Sequence, residues 1–121
     1  MPKVLVVEDE RDIQKLVKAN LTARGYQVAV APDGEKGLEL AKLECPNLIL
    51  LDLKMPGMSG WDVLMALKTN QKLRKIPVII MTAVVPESEE YRIRGMRAAS
   101  YLVKPFGVDE LLRQVKQILG K

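Results

Sequence analysis

Histidine is absent from the 121-residue chain, and that absence removes Ser-His and Cys-His catalysis together with every histidine metal site. There is one cysteine, Cys45, which cannot close an internal disulfide, so a reducing cytosol is the natural compartment. Its place before Pro46, ahead of an apolar run, predicts a small packed residue and not a nucleophile. Aromatic residues make up only 4% of the chain, little to interleave with basic side chains as nucleic-acid surfaces do. No DNA-binding motif is present. The longest apolar runs fall far short of a membrane span, and the N-terminus lacks a signal-peptide pattern. What remains is ordinary globular composition, 48% hydrophobic and 28% charged, sized for one domain that buries roughly two thirds of its unfolded surface.

The net charge of +4 is unevenly spread: residues 1–60 hold 8 basic and 9 acidic side chains, and residues 61–121 hold 11 and 6. Basic positions gather at Lys68, Lys72, Arg74 and Lys75, and again at Arg92, Arg94 and Arg97. A nucleic-acid face is one reading of these groups. Solvated helix faces or docking to an acidic protein partner are the readings preferred, in the absence of motif and aromatics.

Short aliphatic runs alternate with helix-patterned stretches. Strands are expected at Lys3–Val7, Tyr26–Val30, Leu48–Leu51, Ile76–Met81 and Ser100–Val103. Helix 1 is expected from about Glu10 to Arg24, with Ile13, Leu16, Val17 and Leu21 at helical spacing and Gly25 as its stop. Pro32-Asp33-Gly34 turns into a second helix with Leu38, Leu40, Ala41 and Leu43 available for packing. A third helix is expected over Trp61–Thr69, a fourth opening at Pro86 in the favoured first turn, and a fifth holding Asp109-Glu110 early and ending near Leu119-Gly120. Five strands alternating with five helices call for a parallel sheet covered on both faces.

Charge and hydroxyl groups fall where such strands end. Asp52 closes Leu48-Ile49-Leu50-Leu51, and open α/β folds place their sites at that edge. Taken alone it reads equally well as a turn or helix-cap aspartate. Glu8-Asp9 follow Val4-Leu5-Val6-Val7, so adjacency of these two strands would bring three carboxylates together. Like charges about 4 Å apart repel by roughly 4 kcal/mol at an effective dielectric near 20. Such a cluster protonates one member or binds a cation, and oxygen ligands on a partly open site favour Mg²⁺. Glu8, Asp9 and Glu10 would also favour the N-terminus of the next helix through its dipole; both readings can hold, with Glu10 the best placed of the three to start the helix. Thr82 ends the fourth run and Lys104-Pro105 the fifth. Alone, one would be a cap and the other a surface charge.

Together and in order, these residues give the chain its resemblance. Val6-Val7-Glu8-Asp9-Glu10, Leu50 through Gly60, Met81-Thr82-Ala83 and Tyr101-Leu102-Val103-Lys104-Pro105-Phe106 resemble the receiver domains of two-component response regulators along essentially the full length. The resemblance implies a flavodoxin-like (βα)5 sandwich with strand order 2-1-3-4-5. It implies that Asp52 accepts a phosphoryl group from a phosphohistidine on a histidine kinase or phosphotransfer protein. Asp9 and Asp52 would ligate Mg²⁺ directly, Glu8 through water, and Lys54 through its backbone carbonyl. Lys104 and Thr82 would hold phosphoryl oxygens, Thr82 and Tyr101 would form the switch, and Lys104-Pro105 would be cis. On this reading residues 1–121 are a single cytoplasmic receiver domain without an output domain, a phosphoacceptor switch and not a metabolic enzyme. It would take part in its own Mg²⁺-dependent phosphorylation and dephosphorylation. It would bind no nucleic acid or membrane itself, remain a monomer or weak dimer, and signal to a protein target through its helix 4–strand 5–helix 5 face.

The sequence departs from the family where Gly-Ala-Asp-Asp is common and Arg97-Ala98-Ala99-Ser100 stands instead. The usual glycine is missing at Arg97, so the end of the fourth helix is expected to be built differently. The missing acids also weaken the case for the ion-paired dimer of DNA-binding regulators. Other readings are a receiver cut from a longer DNA-binding regulator or hybrid kinase, a flavodoxin-like cofactor binder, and a haloacid-dehalogenase-like phosphatase. The acids at residues 8–10 would repel a phosphate unless a metal intervened, and Lys54 stands where the phosphatase pattern needs an acid.

Overall fold

The computed structural model describes residues 1–83 and 97–120. Five strands, β1 (Lys3–Val7), β2 (Gln27–Ala31), β3 (Leu48–Asp52), β4 (Val78–Thr82) and β5 (Ser100–Val103), form one sheet in the order β2-β1-β3-β4-β5. All four pairings are parallel. The helices described are α1 (Arg11–Ala23), α2 (Gly34–Glu44), α3 (Gly60–Thr69) and α4 (Val108–Leu119), the last being the fifth expected from sequence. The helix expected to open at Pro86 lies outside the described residues, as do Arg92 and Arg94. Among the described residues no helix is long and apolar enough to cross a membrane.

Strand periodicity explains why the central strands are apolar without interruption. Side chains alternate between faces, so a strand covered on both sides needs hydrophobic residues at odd and even positions. Leu5, Val7, Ile49, Leu51 and Ile80 face one layer, where α2 and α3 supply Ala41, Val63, Leu64 and Leu67. Val4, Val6, Leu48, Leu50, Ile79 and Met81 face the other, where α1 and α4 supply Val17, Leu21, Leu111 and Val115. Each large aliphatic side chain buried in this way contributes roughly 1.5–3 kcal/mol.

Local chemistry sets the helix ends. After α1, Gly25 takes φ 92°. Its N–H bonds the Thr22 carbonyl at 3.0 Å while the Tyr26 N–H bonds the Leu21 carbonyl at 3.1 Å, the paired pattern of a Schellman stop. Tyr26 and Leu21 lie in the same core cluster. The Asp33 side chain caps α2 through the Lys36 N–H, and Ser59 with Asp62 forms a capping box on α3.

Three packing expectations are corrected. Cys45 is exposed, because it ends α2 in a left-handed conformation with φ 45° that carries its side chain away from the sheet. Leu43 is 69% exposed; it lies two residues, about 200° of helix rotation, from buried Ala41. Leu16 is 39% exposed, on the flank of the Val17–Leu21 stripe. The end of the fourth expected helix, predicted to be built differently, lies outside the described residues, and Arg97 after it takes φ 62°. A side chain in that conformation costs roughly 1–2 kcal/mol, which a glycine would avoid.

Candidate functional site

The register of the three central strands assembles the site. Val7 pairs with Leu51, and Asp52 pairs with Met81, so Glu8, Asp9 and Asp52 leave the sheet side by side at its carboxyl edge. Their carboxylate oxygens lie within 4.8 Å of one another. β5 adds Lys104, whose N–H bonds the Thr82 carbonyl at 2.6 Å. Thr82 itself ends β4 and is buried. Sequence reasoning named all five, and the fold brings them to one edge.

Lys104 is the hub. Its ammonium lies 2.8 Å from Glu8 Oε1, 3.3 Å from Asp52 Oδ1 and 3.7 Å from Glu10 Oε1. Glu8 is fully buried and Asp52 is 3% exposed. Glu8 Oε2 accepts from the Glu10 N–H at 3.1 Å, and Asp52 Oδ1 accepts from the Lys54 N–H at 3.3 Å. Glu8 Oε1, despite its closeness to the ammonium, makes no well-aligned hydrogen bond. The Glu8 carboxyl is raised to about 7, by burial first and by the Asp52 charge, against the opposing pull of Lys104 and the Glu10 N–H. Burial likewise raises Asp52, against the charge of Lys104. Burial opposes the Lys104 charge too, yet Glu8 and Asp52 outweigh it and hold the ammonium above its ordinary value. Three carboxylates against one ammonium leave the site short of positive charge.

The loop after β3 is shaped by Gly60. Its N–H bonds the Leu53 carbonyl at 2.9 Å, and a Cβ there would land on the Asp52 carbonyl and the Leu53 backbone. Only glycine lets the start of α3 close over the strand end that carries Asp52. Lys54 is exposed beside it, and Lys104-Pro105 is cis.

Several neighbours escaped the sequence reading. Glu10 precedes α1, as expected, but also faces Lys104. Gln14 donates to the Glu8 carbonyl at 2.6 Å, fastening α1 to the end of β1. Gln114, buried on α4, donates to the Tyr101 carbonyl at 3.1 Å and to Glu110 at 2.8 Å, and accepts from Ser100 Oγ at 2.6 Å. It clasps α4 to the strand bearing half-buried Tyr101, whose ring packs on the α2–α3 side. The glutamine sits on the same helical stripe as Leu111 and Val115, and buried polar stripe members are the only signal sequence offered. A groove of about 390 Å³ opens beside Lys104, lined by Glu10, Ile13, Leu16, Ala83, Pro105 and Phe106.

Comparison with known proteins agrees with this geometry. The response regulator receiver domain model matches residues 4–116. The polar-differentiation response regulator DivK of Brucella anthropi is 38% identical over 121 residues, covering 99% of this chain and 98% of that protein. The chain spans about half the length, 50% and 48%, of curated transcriptional regulators that it also matches. Among solved structures, chemotaxis protein CheY4 of Vibrio cholerae superposes with a TM-score of 0.92 at 29% identity, over 98% of both chains. The receiver domain of sensor histidine kinase PA1611 from Pseudomonas aeruginosa, solved with magnesium in its active-site cleft, gives 0.89 at 27% identity over 99% of this chain and 98% of its own. A family match over nearly the whole chain, joined to the 2-1-3-4-5 sheet and the acids at its carboxyl edge, makes this protein a member of the response regulator receiver domain family.

Proposed function

We propose that the protein is a phosphoacceptor switch in which Asp52 takes a phosphoryl group from the phosphohistidine of a histidine kinase or phosphotransfer protein. A carboxylate needs no deprotonation at neutral pH, so a chain without histidine loses nothing as a nucleophile. The Asp52 oxygen bonds phosphorus as the phosphorus–nitrogen bond to the donor imidazole breaks, leaving an acyl phosphate. The observation that carries the reading is the charge balance around Lys104, in which one ammonium faces buried Glu8 and Asp52 with Asp9 close by. Buried Glu8 and the carboxylates clustered with it fit a hard divalent cation. Glu8, Asp9, Asp52 and the Lys54 carbonyl would hold Mg²⁺. When bound, it would neutralise charge between the carboxylates and the incoming phosphoryl oxygens.

Lys104 and the Thr82 hydroxyl would each take a phosphoryl oxygen, and Thr82 would pass the change to Tyr101. Gln114 then ties the Tyr101 backbone to α4, which supports β5 and α4 as part of the output surface. The groove beside Lys104 supports an entry side for the donor protein, and a docking role would account for the exposure of Leu16. The test is transfer from a radiolabelled phosphohistidine donor in Mg²⁺. Wild type should take the label and Asp52→Asn should not; equal labelling of the variant contradicts the assignment.

The half-length match to transcriptional regulators favours a second reading, in which this receiver is one module of a longer DNA-binding regulator. An antibody raised against the receiver separates the two in cells. A band near 13.5 kDa supports a separate receiver, and a band about twice that size supports the module.

A further inference from the structure

The excess of positive charge belongs to one part of the chain. No Asp or Glu occurs between Asp62 and Glu87 or between Glu90 and Asp109, and Lys68, Lys72, Arg74, Lys75 and Arg97 all fall in those two stretches. α3 runs antiparallel to the strands, so its C-terminus returns to the amino edge of the sheet, opposite the acids. The chain before β5 meets the chain before β4 there, through an Ala99 N–H bond to the Val78 carbonyl at 2.8 Å.

Two features of that edge are unfavourable to the isolated domain. Lys68 is partly buried, with Nζ donating to the Arg74 carbonyl at 3.3 Å. Burial, and then the nearby charge of Arg97, lower its pKa. Among the described residues no carboxylate forms an ion pair with Lys68, Lys72, Arg74, Lys75 or Arg97. Arg97, meanwhile, is exposed in a left-handed backbone conformation, φ 62°, that disfavours any side chain. Backbone strain, and like charge that no described carboxylate pairs with, are at one place features that folding does not select for and binding can.

One flank of α3 leads to this point. Trp61, Met65 and Lys68 recur at helical spacing and share one face. Trp61 is partly exposed and Met65 is 57% exposed. The surface is therefore apolar at one end and cationic at the other. We propose that the flank of α3 carrying Trp61, Met65 and Lys68, together with Arg97, docks an amphipathic acidic segment of a partner protein. The segment's apolar side covers Met65 and Trp61, and its carboxylates meet Lys68 and Arg97. A nucleic-acid backbone would satisfy the cations but has no apolar group to cover Met65. The cationic end of the site lies at the sheet edge opposite Asp52, while Trp61 follows Gly60 at the Asp52 edge.

The test uses unphosphorylated, isotope-labelled protein and a synthetic helical peptide with glutamate along one face and leucine along the other. Its controls are a charge-reversed peptide with lysine for glutamate and a short DNA duplex. The acidic peptide should shift amide signals along α3 and at residues 97–99, saturably. Arg97→Glu should weaken binding at least about tenfold, as loss of a charge pair with added repulsion predicts. Arg97→Gly controls for folding: it should weaken binding while leaving the thermal midpoint unchanged or raised, because glycine relieves the left-handed conformation. A lowered midpoint with unchanged binding would make Arg97 a structural residue and overturn the proposal. Shifts no larger than those from the charge-reversed peptide would overturn it, and so would tighter binding of the duplex to the same residues, which would make this a nucleic-acid face. Loss of phosphotransfer to Asp52 would leave this result untouched, so the two readings fail separately.

Discussion

The two edges of the sheet carry opposite charge and hold it in opposite ways. At the carboxyl edge, Glu8 and Asp52 are buried, fixed by the ends of adjacent strands, and bonded to backbone N–H groups and to Lys104. At the amino edge, Lys72, Arg74, Lys75 and Arg97 are exposed on a helix exit and two loops, with Lys68 half-covered behind them. The strand ends are tied into the parallel ladder, whereas an exposed loop cation keeps much of its rotamer freedom. Buried, geometrically fixed acids suit chemistry that needs positioning. Exposed cations suit recognition, where charge steers encounter more than it adds affinity. The contrast teaches that charge in this molecule is sorted by task.

The largest expected effect is on the acidic edge. Asp52→Asn should reduce phosphotransfer at least about a hundredfold by removing the nucleophile. It should leave the thermal midpoint equal or higher, since burial already works against the charge being removed. A variant that has lost both activity and fold would show that Asp52 is held for structure.

Next comes Lys104→Ala, which strands Glu8 and Asp52 without their cation. Breaking a buried pair typically costs about 3–5 kcal/mol, and chemical denaturation in metal-free buffer at pH 8 should approach that range. Mg²⁺ should recover part of the loss. A cost under about 1 kcal/mol, the level of a surface pair, would erase the distinction between the two edges.

The pH dependence is smaller and has a definite sign. Glu8 is raised from 4.5 to about 7, so between those values the folded protein binds more protons than the unfolded chain. Stability of the metal-free protein should therefore fall as pH rises from about 4.5 through about 7 and stay reduced above that. Denaturant midpoints at pH 5.5 and 8 measure it. A rise in stability across this interval would mean that Lys104 keeps Glu8 ionised throughout.

The smallest effect is at the clasp between β5 and α4. Gln114→Ala leaves Ser100 Oγ and the Tyr101 carbonyl without their shared partner and should cost about 1–3 kcal/mol. Phosphotransfer to Asp52 should be near normal, while amide shifts on β5 and α4 respond less to phosphorylation. An unaltered response would place the coupling elsewhere.

Much of this was legible in the sequence, for physical reasons. Strands covered on both faces must be apolar at every position, so Val4–Val7 and Leu48–Leu51 announced themselves, and the groups ending them marked the site. Strand order came from the family resemblance, and the structure agrees. Helix surfaces were harder. A helix buries one angular sector, and neither Leu43 nor Leu16 falls inside it, although hydrophobicity alone made them candidates. Cys45 was misread because a left-handed helix exit is invisible in a sequence without glycine there. Glu10 and Gln14 meet Lys104 and Glu8 through the angle at which α1 leaves the sheet, and no local pattern encodes that angle.

The central claim is that the carboxyl edge is an acid cluster short of one divalent cation's charge. Thermal unfolding of wild type and Asp9→Ala at pH 8, each with and without Mg²⁺, tests it most directly. Wild type should gain stability with Mg²⁺ by mass action. Asp9→Ala should start more stable in metal-free buffer, through relief of like-charge repulsion, and gain little from the ion. Equal magnesium stabilisation of the two proteins would contradict the account.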